Sequence, residues 1–307
     1  MILNTAETDA VQIKGLLSDI LGIPSYLSLE RMGGLTNRTY KVIVSEQKSY
    51  VIRIPGEGTE ALINRANEKI STHLACKLGL DANLIYFGRN GEKISEYIED
   101  AQTLSPSTFR KEENINKAAR VLFRLHNCAE STGVPFDVFD MAASYENIIN
   151  TNCIALYDDY PTVKACVLSI KQDIDQYSVA LVPCHNDPLC ENWLLDSSGR
   201  IYLIDWEYAG MNDAMWDLAD LSIEAALSKQ QDDFLLRSYF DRKPTTKEYM
   251  RFQANKLYLD YLWTLWAKAR VPFAGEAMEV YAYERYIRLK KNVSCFQQRT
   301  LFIGEGT

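Results

Sequence analysis

Histidine is scarce in this chain, three in 307 residues, and its seven cysteines (Cys76, Cys128, Cys153, Cys166, Cys184, Cys190 and Cys295) form no C-x-x-C pair. A zinc centre lacks its usual ligand spacing, and an odd cysteine count does not suit a disulfide framework. The thiols read as reduced and mostly buried. No apolar run approaches the ~20 residues needed to cross a bilayer. The opening M-I-L-N-T-A-E-T-D-A-V carries acidic residues where a signal peptide would carry positive charge. A cytoplasmic location without membrane insertion is therefore expected. The chain also lacks a serine nucleophile elbow, a P-loop, a full G-x-G-x-x-G, an internal repeat and a low-complexity tract. Positive charge is not in excess: 33 Lys+Arg against 41 Asp+Glu give a net charge of −8. That balance argues against a broad nucleic-acid footprint and makes any phosphate site local. It suits a small cationic substrate, although surface acidity commonly serves solubility alone.

What is present is 47% apolar content over a length that suits one large domain or two. The pattern favours an α+β chain of two lobes. A helix is predicted around 8–21, then a β-hairpin in which Tyr40, Val42 and Val44 alternate on one strand and Tyr50, Ile52 and Ile54 on the next. Ile63, Ile70, Leu74 and Leu78 follow at helical spacing and stop at Gly79, suited to a left-handed cap. A strand-like E-K-I-S-E-Y-I-E-D covers 92–100. From about 110 the periodicity is helical, with brief strands between 179 and 206 and a long aromatic-rich helix over about Thr246 to Ala269. Residues 1–98 are expected to form a small β-rich nucleotide-binding N-lobe. Residues 99–307 are expected to form a larger, mostly helical C-lobe for catalysis and substrate binding.

The richest segment is 184–210, C-H-N-D-P-L-C-E-N-W-L-L-D-S-S-G-R-I-Y-L-I-D-W-E-Y-A-G. Trp193-Leu194-Leu195 and Ile201-Tyr202-Leu203-Ile204 are strand-like, with Ser198-Gly199 as a tight turn between them. A two-residue loop there sets Asn192 opposite Asp205 and brings Asp187 to the same end of the hairpin. Mg²⁺ prefers oxygen ligands and often takes only one or two from protein, which suits Asn192 and Asp205. Phosphoryl transfer further needs a group to accept the hydroxyl proton of the nucleophile, and Asp187 fits that role. Any one of these residues alone would more simply cap a turn or end a strand. The spacing H-x-D-x-x-x-x-N before an apolar strand ending in I-D points to a kinase-type site.

H-N-D-P-L-C-E-N with I-D-W-E-Y-A-G resembles the choline/ethanolamine kinases, especially their bacterial choline kinase-like branch, within the wider aminoglycoside phosphotransferase and protein kinase-like fold. The resemblance runs from Gly33 to about Arg288. It implies an ATP-dependent kinase with Mg²⁺, a two-lobed fold with ATP in the cleft, Asp187 as catalytic base, and Asn192 and Asp205 as Mg²⁺ ligands. G-G-L-T-N-R-T-Y-K-V resembles the family's phosphate loop. Gly33 and Gly34 would let backbone N–H groups approach phosphate, and Thr36 and Asn37 would add polar contacts. Arg53 takes the place of the ATP-binding lysine of protein kinases and would hold Glu68 of the next helix. By resemblance alone, Glu96 through Ile98 would form the connector that meets adenine.

Trp263 and Trp266 lie three apart on one helix, a spacing that ordinarily marks core. In choline kinases a W-x-x-W of this kind lines a cage for quaternary ammonium, and the resemblance implies that role here, with Tyr208, Trp216, Phe273 and Tyr281 as further pocket aromatics. Trp216 departs from the phenylalanine of the family pattern. His73 and His126 read as structural, and His185 as orienting the catalytic loop. Asp217 and Asp220 read as bracing that loop or capping a helix. Choline is the leading acceptor; ethanolamine, an aminoglycoside-type alcohol, and a ligand sensor that has lost the chemistry remain alternatives. Oligomeric state is open.

Overall fold

The computed structural model describes residues 5–33, 37–56, 59, 63–177 and 179–304, with side chains up to Phe296. Its contacts divide the chain into two units, Met1–Leu104 with Glu191–Ala209, and Ser105–Cys190 with Gly210–Thr307. The division on the N-terminal side falls a few residues beyond 98. Residues 191–209, expected with the helical lobe, cluster with the sheet-bearing unit.

The first unit is built on a five-stranded antiparallel sheet: β1 (Ser28–Arg31), β2 (Asn37–Ser45), β3 (Lys48–Pro55), β4 (Leu84–Phe87) and β5 (Lys93–Glu96), ordered β1-β2-β3-β5-β4. The predicted hairpin is β2 and β3, closed where Ser45 faces Lys48. Alternation buries Tyr40, Val42, Tyr50, Ile52 and Ile54 against Ile13 and Leu17, which lie one turn apart on α1 (Thr5–Leu21). Each such side chain contributes about 1.5–3 kcal/mol when fully buried. Asp9 fastens α1 by accepting from Arg38 Nε at 2.7 Å and the Tyr40 hydroxyl at 2.6 Å.

α2 (Arg65–Lys77) starts at Asn64, whose side chain accepts from the Ala66 and Asn67 amides. It stops before Gly79, where φ is +63°, as the cap pattern predicts. The same unit holds a small sheet of β6 (Gln102–Thr103), β8 (Trp193–Leu195) and β9 (Ile201–Leu203), ordered β6-β8-β9. Its register corrects the sequence expectation: Trp193 faces Leu203 and Leu195 faces Ile201, so Asn192 stands beside Ile204 rather than opposite Asp205. The cause is a three-residue loop, Ser197 to Gly199. Asp196 Oδ1 accepts from the Ser198 and Arg200 amides, and Gly199 supplies φ +81°.

The second unit is mainly helical: α3 (Pro106–Phe109), α4 (Glu112–His126), α5 (Val138–Thr151), α6 (Tyr160–Asp175), α7 (Ala214–Glu224), α8 (Lys229–Phe240), α9 (Thr246–Ala274) and α10 (Glu276–Gly304). In α4 the predicted stripe Ile115, Ala118, Leu122 and Leu125 is buried. In α9 every residue from Leu257 to Ala269 is buried, including Asp260, Thr264 and Lys268 on one face, so no face is left to solvent; α5, α6, α7 and α10 pack around it. β7 (Val182–Cys184) and β10 (Gly210–Asn212) pair antiparallel beside these helices. No helix among the described residues is long and apolar enough to cross a membrane.

Candidate active site

In the first unit a buried ion network joins β2, β3, α2 and the segment after β9. Arg53 donates through Nη1 to Glu68 and through Nη2 to the Gly91 carbonyl at 2.8 Å. Arg65 Nη1 donates to Glu68 at 2.7 Å and to Glu207 at 3.1 Å, and its Nη2 reaches Asn37 Oδ1 and Thr59 Oγ1, each at 3.0 Å. The Asn37 amide donates to Glu207 at 2.7 Å. Burial works against the Glu68 charge, yet Arg53 holds its carboxyl below the usual range. Gly91 admits this packing, because a Cβ there would stand 2.5 Å from Arg65 Cδ.

Asp205 belongs to this unit too. Its φ of +68° is strained for a residue with a side chain, and it lies two residues beyond the end of β9. Asp205 Oδ1 is buried without a hydrogen-bond donor, while Arg53 Nη1 lies 3.6 Å away. Asn192, whose carbonyl accepts from Ile204 N–H at 2.9 Å, is buried alongside. An orphaned carboxylate oxygen and a neighbouring amide side chain are donors of the kind a hard divalent cation takes.

In the second unit, β7 delivers the chain to His185-Asn186-Asp187. Asp217, in the first turn of α7, accepts from the His185 amide through Oδ2 and from the Asn186 amide through Oδ1, each at 2.8 Å. Asn186 is held in the left-handed region at φ +67° by the Trp216 indole N–H, 3.0 Å from its carbonyl, and by Asn212 Nδ2, 2.9 Å from its Oδ1. The Asp187 amide donates to His185 Nδ1 at 3.3 Å, which leaves the half-buried Asp187 carboxyl beyond a loop fixed on three sides. Asp220, one turn along α7, is buried with neither oxygen hydrogen-bonded. Burial, then Glu224 and Asp187, push its carboxyl well above the usual range.

Three aromatics cluster in the same unit. The Trp263 and Trp266 rings lie 5.8 Å apart at 84°, and Tyr281 lies 6.2 Å from Trp266 at 66°. Arg270 sits over the Trp266 ring at 4.9 Å, so the protein's own cation already uses that face.

The profile of the choline/ethanolamine kinase family matches residues 30–270. The chain belongs to the choline/ethanolamine kinase family. It is 30% identical over 258 residues to the protein LicA of Haemophilus influenzae, an alignment covering 82% of this kinase and 96% of LicA. It is 25% identical over 295 residues to ethanolamine kinase 2 of Mus musculus, covering 86% and 76% of the two chains. The solved choline kinase LicA from Streptococcus pneumoniae superposes with a TM-score of 0.82 at 33% identity, covering 94% of this chain and 99% of that one. The protein is thus an ATP-dependent kinase with a mixed α+β kinase-like fold.

In this kinase the structure groups Arg53, Glu68, Asn37 and Asp205 in one network, and Trp263, Trp266 and Tyr281 in one cluster. Tyr208 is buried in the first unit just past Glu207. Glu96 ends β5, and its amide and that of Tyr97 already donate to Asn83 and Ser49; Ile98 follows, half-buried. Gly33 precedes β2, and a Cβ added there would meet nothing within 4 Å, while Gly34 and Thr36 lie outside the described residues. Two of the expected pocket aromatics lie apart from that cluster. Trp216 is fully buried against Phe136 and braces the Asn186 carbonyl, because its indole N–H needs a buried acceptor. Phe273, near the end of α9, is 83% exposed, outside the aromatic cluster. Sequence reasoning did not name Arg65 and Glu207. Their available signals were the place of Arg65 three residues before Glu68 and of Glu207 two residues after Asp205.

Proposed function

We propose that this kinase transfers the γ-phosphoryl group of ATP to the hydroxyl of choline, giving phosphocholine and ADP. The observation that carries this reading is the cluster of Trp263, Trp266 and Tyr281, in the same unit as the Asp187 loop. Ring faces attract a cation that has no N–H to donate, at about 0.5–2 kcal/mol per ring. In this reading the Asp187 carboxylate accepts the hydroxyl proton as the oxygen bonds to the γ-phosphorus and the bond to the β-phosphate oxygen breaks. Asn192 and Asp205 would hold Mg²⁺, and the orphaned Oδ1 of Asp205 suits that task. Mg²⁺, when bound, neutralises phosphate charge. Arg53, kept in place by Glu68, meets phosphate oxygens, with Gly33, Gly34, Thr36 and Asn37 forming the phosphate loop and Glu96 to Ile98 the adenine connector. Residues 1–98 would serve the nucleotide, and 99–307 the acceptor and the chemistry. A cytoplasmic location fits the reading.

Ethanolamine is a second reading with one observation in its favour. The unpartnered oxygens of Asp220 would accept N–H donors that a primary ammonium has and choline lacks. ADP release with Mg²⁺-ATP and, separately, choline, ethanolamine and an aminoglycoside decides between them, with Asp187→Ala as the blank. Choline-dependent release is expected, falling roughly 10²- to 10⁴-fold in the folded Asp187→Ala protein. Release with ethanolamine alone would overturn the choline reading. Choline binding without ADP release would make the protein a sensor.

A further inference from the structure

Asp217 holds the loop that carries Asp187, and Asp217 is itself held from the side. His126, the last residue of α4, places Nε2 3.0 Å from Asp217 Oδ2 and Nδ1 2.9 Å from the Tyr239 hydroxyl of α8. A carboxylate only accepts, so Nε2 carries the hydrogen, and in the neutral ring Nδ1 then accepts from Tyr239. Burial pushes the Tyr239 phenol well up, which keeps it a proton donor. His126, Asp217 and Tyr239 are all buried, and they come from three different helices. Asp217 Oδ2 therefore receives the His185 amide and the imidazole together, while Oδ1 receives the Asn186 amide. The imidazole is thus a side-chain donor to this carboxylate, beside the two amides of the loop it holds.

We propose that His126 is a positioning residue for phosphoryl transfer, acting through Asp217 on the backbone of His185 and Asn186 and so on the direction of the Asp187 carboxyl. The proposal rests on the reading of Asp187 as the base. A metal site is the competing account of the same cluster, since His126, Cys184 and Asp217 offer donor atoms within 4.8 Å of one another. Both Asp217 oxygens are already taken by N–H donors, and burial pushes the Cys184 thiol well up, away from the thiolate a metal requires. The cluster is a hydrogen-bond relay.

Substitutions at His126 separate positioning from packing, because a Gln side-chain amide reaches the place of Nε2 whereas an Asn amide reaches that of Nδ1. Steady-state kinetics with Mg²⁺-ATP and whichever amino alcohol the wild type phosphorylates give the readout, with thermal melting run alongside. His126→Ala and His126→Asn are expected to lower kcat between about tenfold and about 100-fold, the scale of a small misplacement of a reacting group. KM for both substrates should stay within about twofold, and His126→Gln should recover most of kcat. Tyr239→Phe, which frees the ring tautomer but keeps the bond to Asp217, should lose less than His126→Ala. Wild-type kcat in folded His126→Ala overturns the proposal. So does an equal kcat loss in the Ala and Gln variants that tracks lost melting temperature, which makes His126 a packing residue. Failure of the base reading is seen separately, as wild-type turnover in Asp187→Ala.

Discussion

The two units stabilise their functional groups by different means. Around Arg53 and Glu68 the first unit buries full charges against one another, with Arg65, Glu207 and Asn37 closing the network. Around Asp187 the second unit grips neutral backbone: Asp217, Trp216 and Asn212 hold the amides, carbonyl and side chain of two residues. A buried charge network is unforgiving of deletion, because each removed partner leaves an uncompensated ion. A clamp on peptide groups carries less charge and fixes a direction. In the proposed function the first arrangement suits groups that must stay charged and in place beside phosphate, and the second suits one carboxylate that must point at a hydroxyl.

Glu68→Ala tests the charged side and carries the largest expected effect. Arg53 and Arg65 would lose their shared carboxylate in the interior, a loss of about 3–5 kcal/mol in unfolding free energy. Chemical denaturation measures it. An unchanged midpoint would mean that water reaches the two guanidinium groups and that the network is not a sealed ion cluster.

Asp217→Asn tests the neutral side. One oxygen still accepts, but the new NH₂ faces a backbone N–H, so one buried donor goes unsatisfied at a cost of about 1–3 kcal/mol. Stability should fall less than in Glu68→Ala, while kcat falls about 10- to 100-fold with little change in KM. If Asp217→Asn instead destabilises as much as Glu68→Ala at unchanged kcat, the contrast between the two units collapses.

Much of this was legible in the chain before folding. Arg53 and Glu68 lie on consecutive elements, so strand alternation and helix period place them together. The Asp187 loop announces itself through H-x-D-x-x-x-x-N. Partners distant in sequence were not legible: Glu207 meets Arg65 from 142 residues away, and only tertiary packing brings them together. The β8–β9 register slipped by one because Ser198-Gly199 suggested a two-residue turn, whereas Asp196 caps a three-residue one. Trp216 is named by resemblance while its indole N–H serves the loop, and Phe273, also named by resemblance, is exposed near the end of α9.

The aromatic cluster belongs to neither scheme, and it carries the smallest expected effect. Trp263 is only 4% exposed and Trp266 8%, so both are core by accessibility, and Arg270 already covers a face of the Trp266 ring. Truncating Trp263 removes one wall. At about 0.5–2 kcal/mol per ring, and 1.4 kcal/mol per factor of ten, KM for choline should rise roughly 2- to 30-fold in Trp263→Ala while KM for ATP stays near wild type. Isothermal titration of choline into the folded variant measures the binding loss directly, without turnover. Equal weakening of choline and ATP would assign Trp263 to packing, because a cavity beneath α9 has no reason to choose between two ligands, whereas a lost ring face touches only the cation.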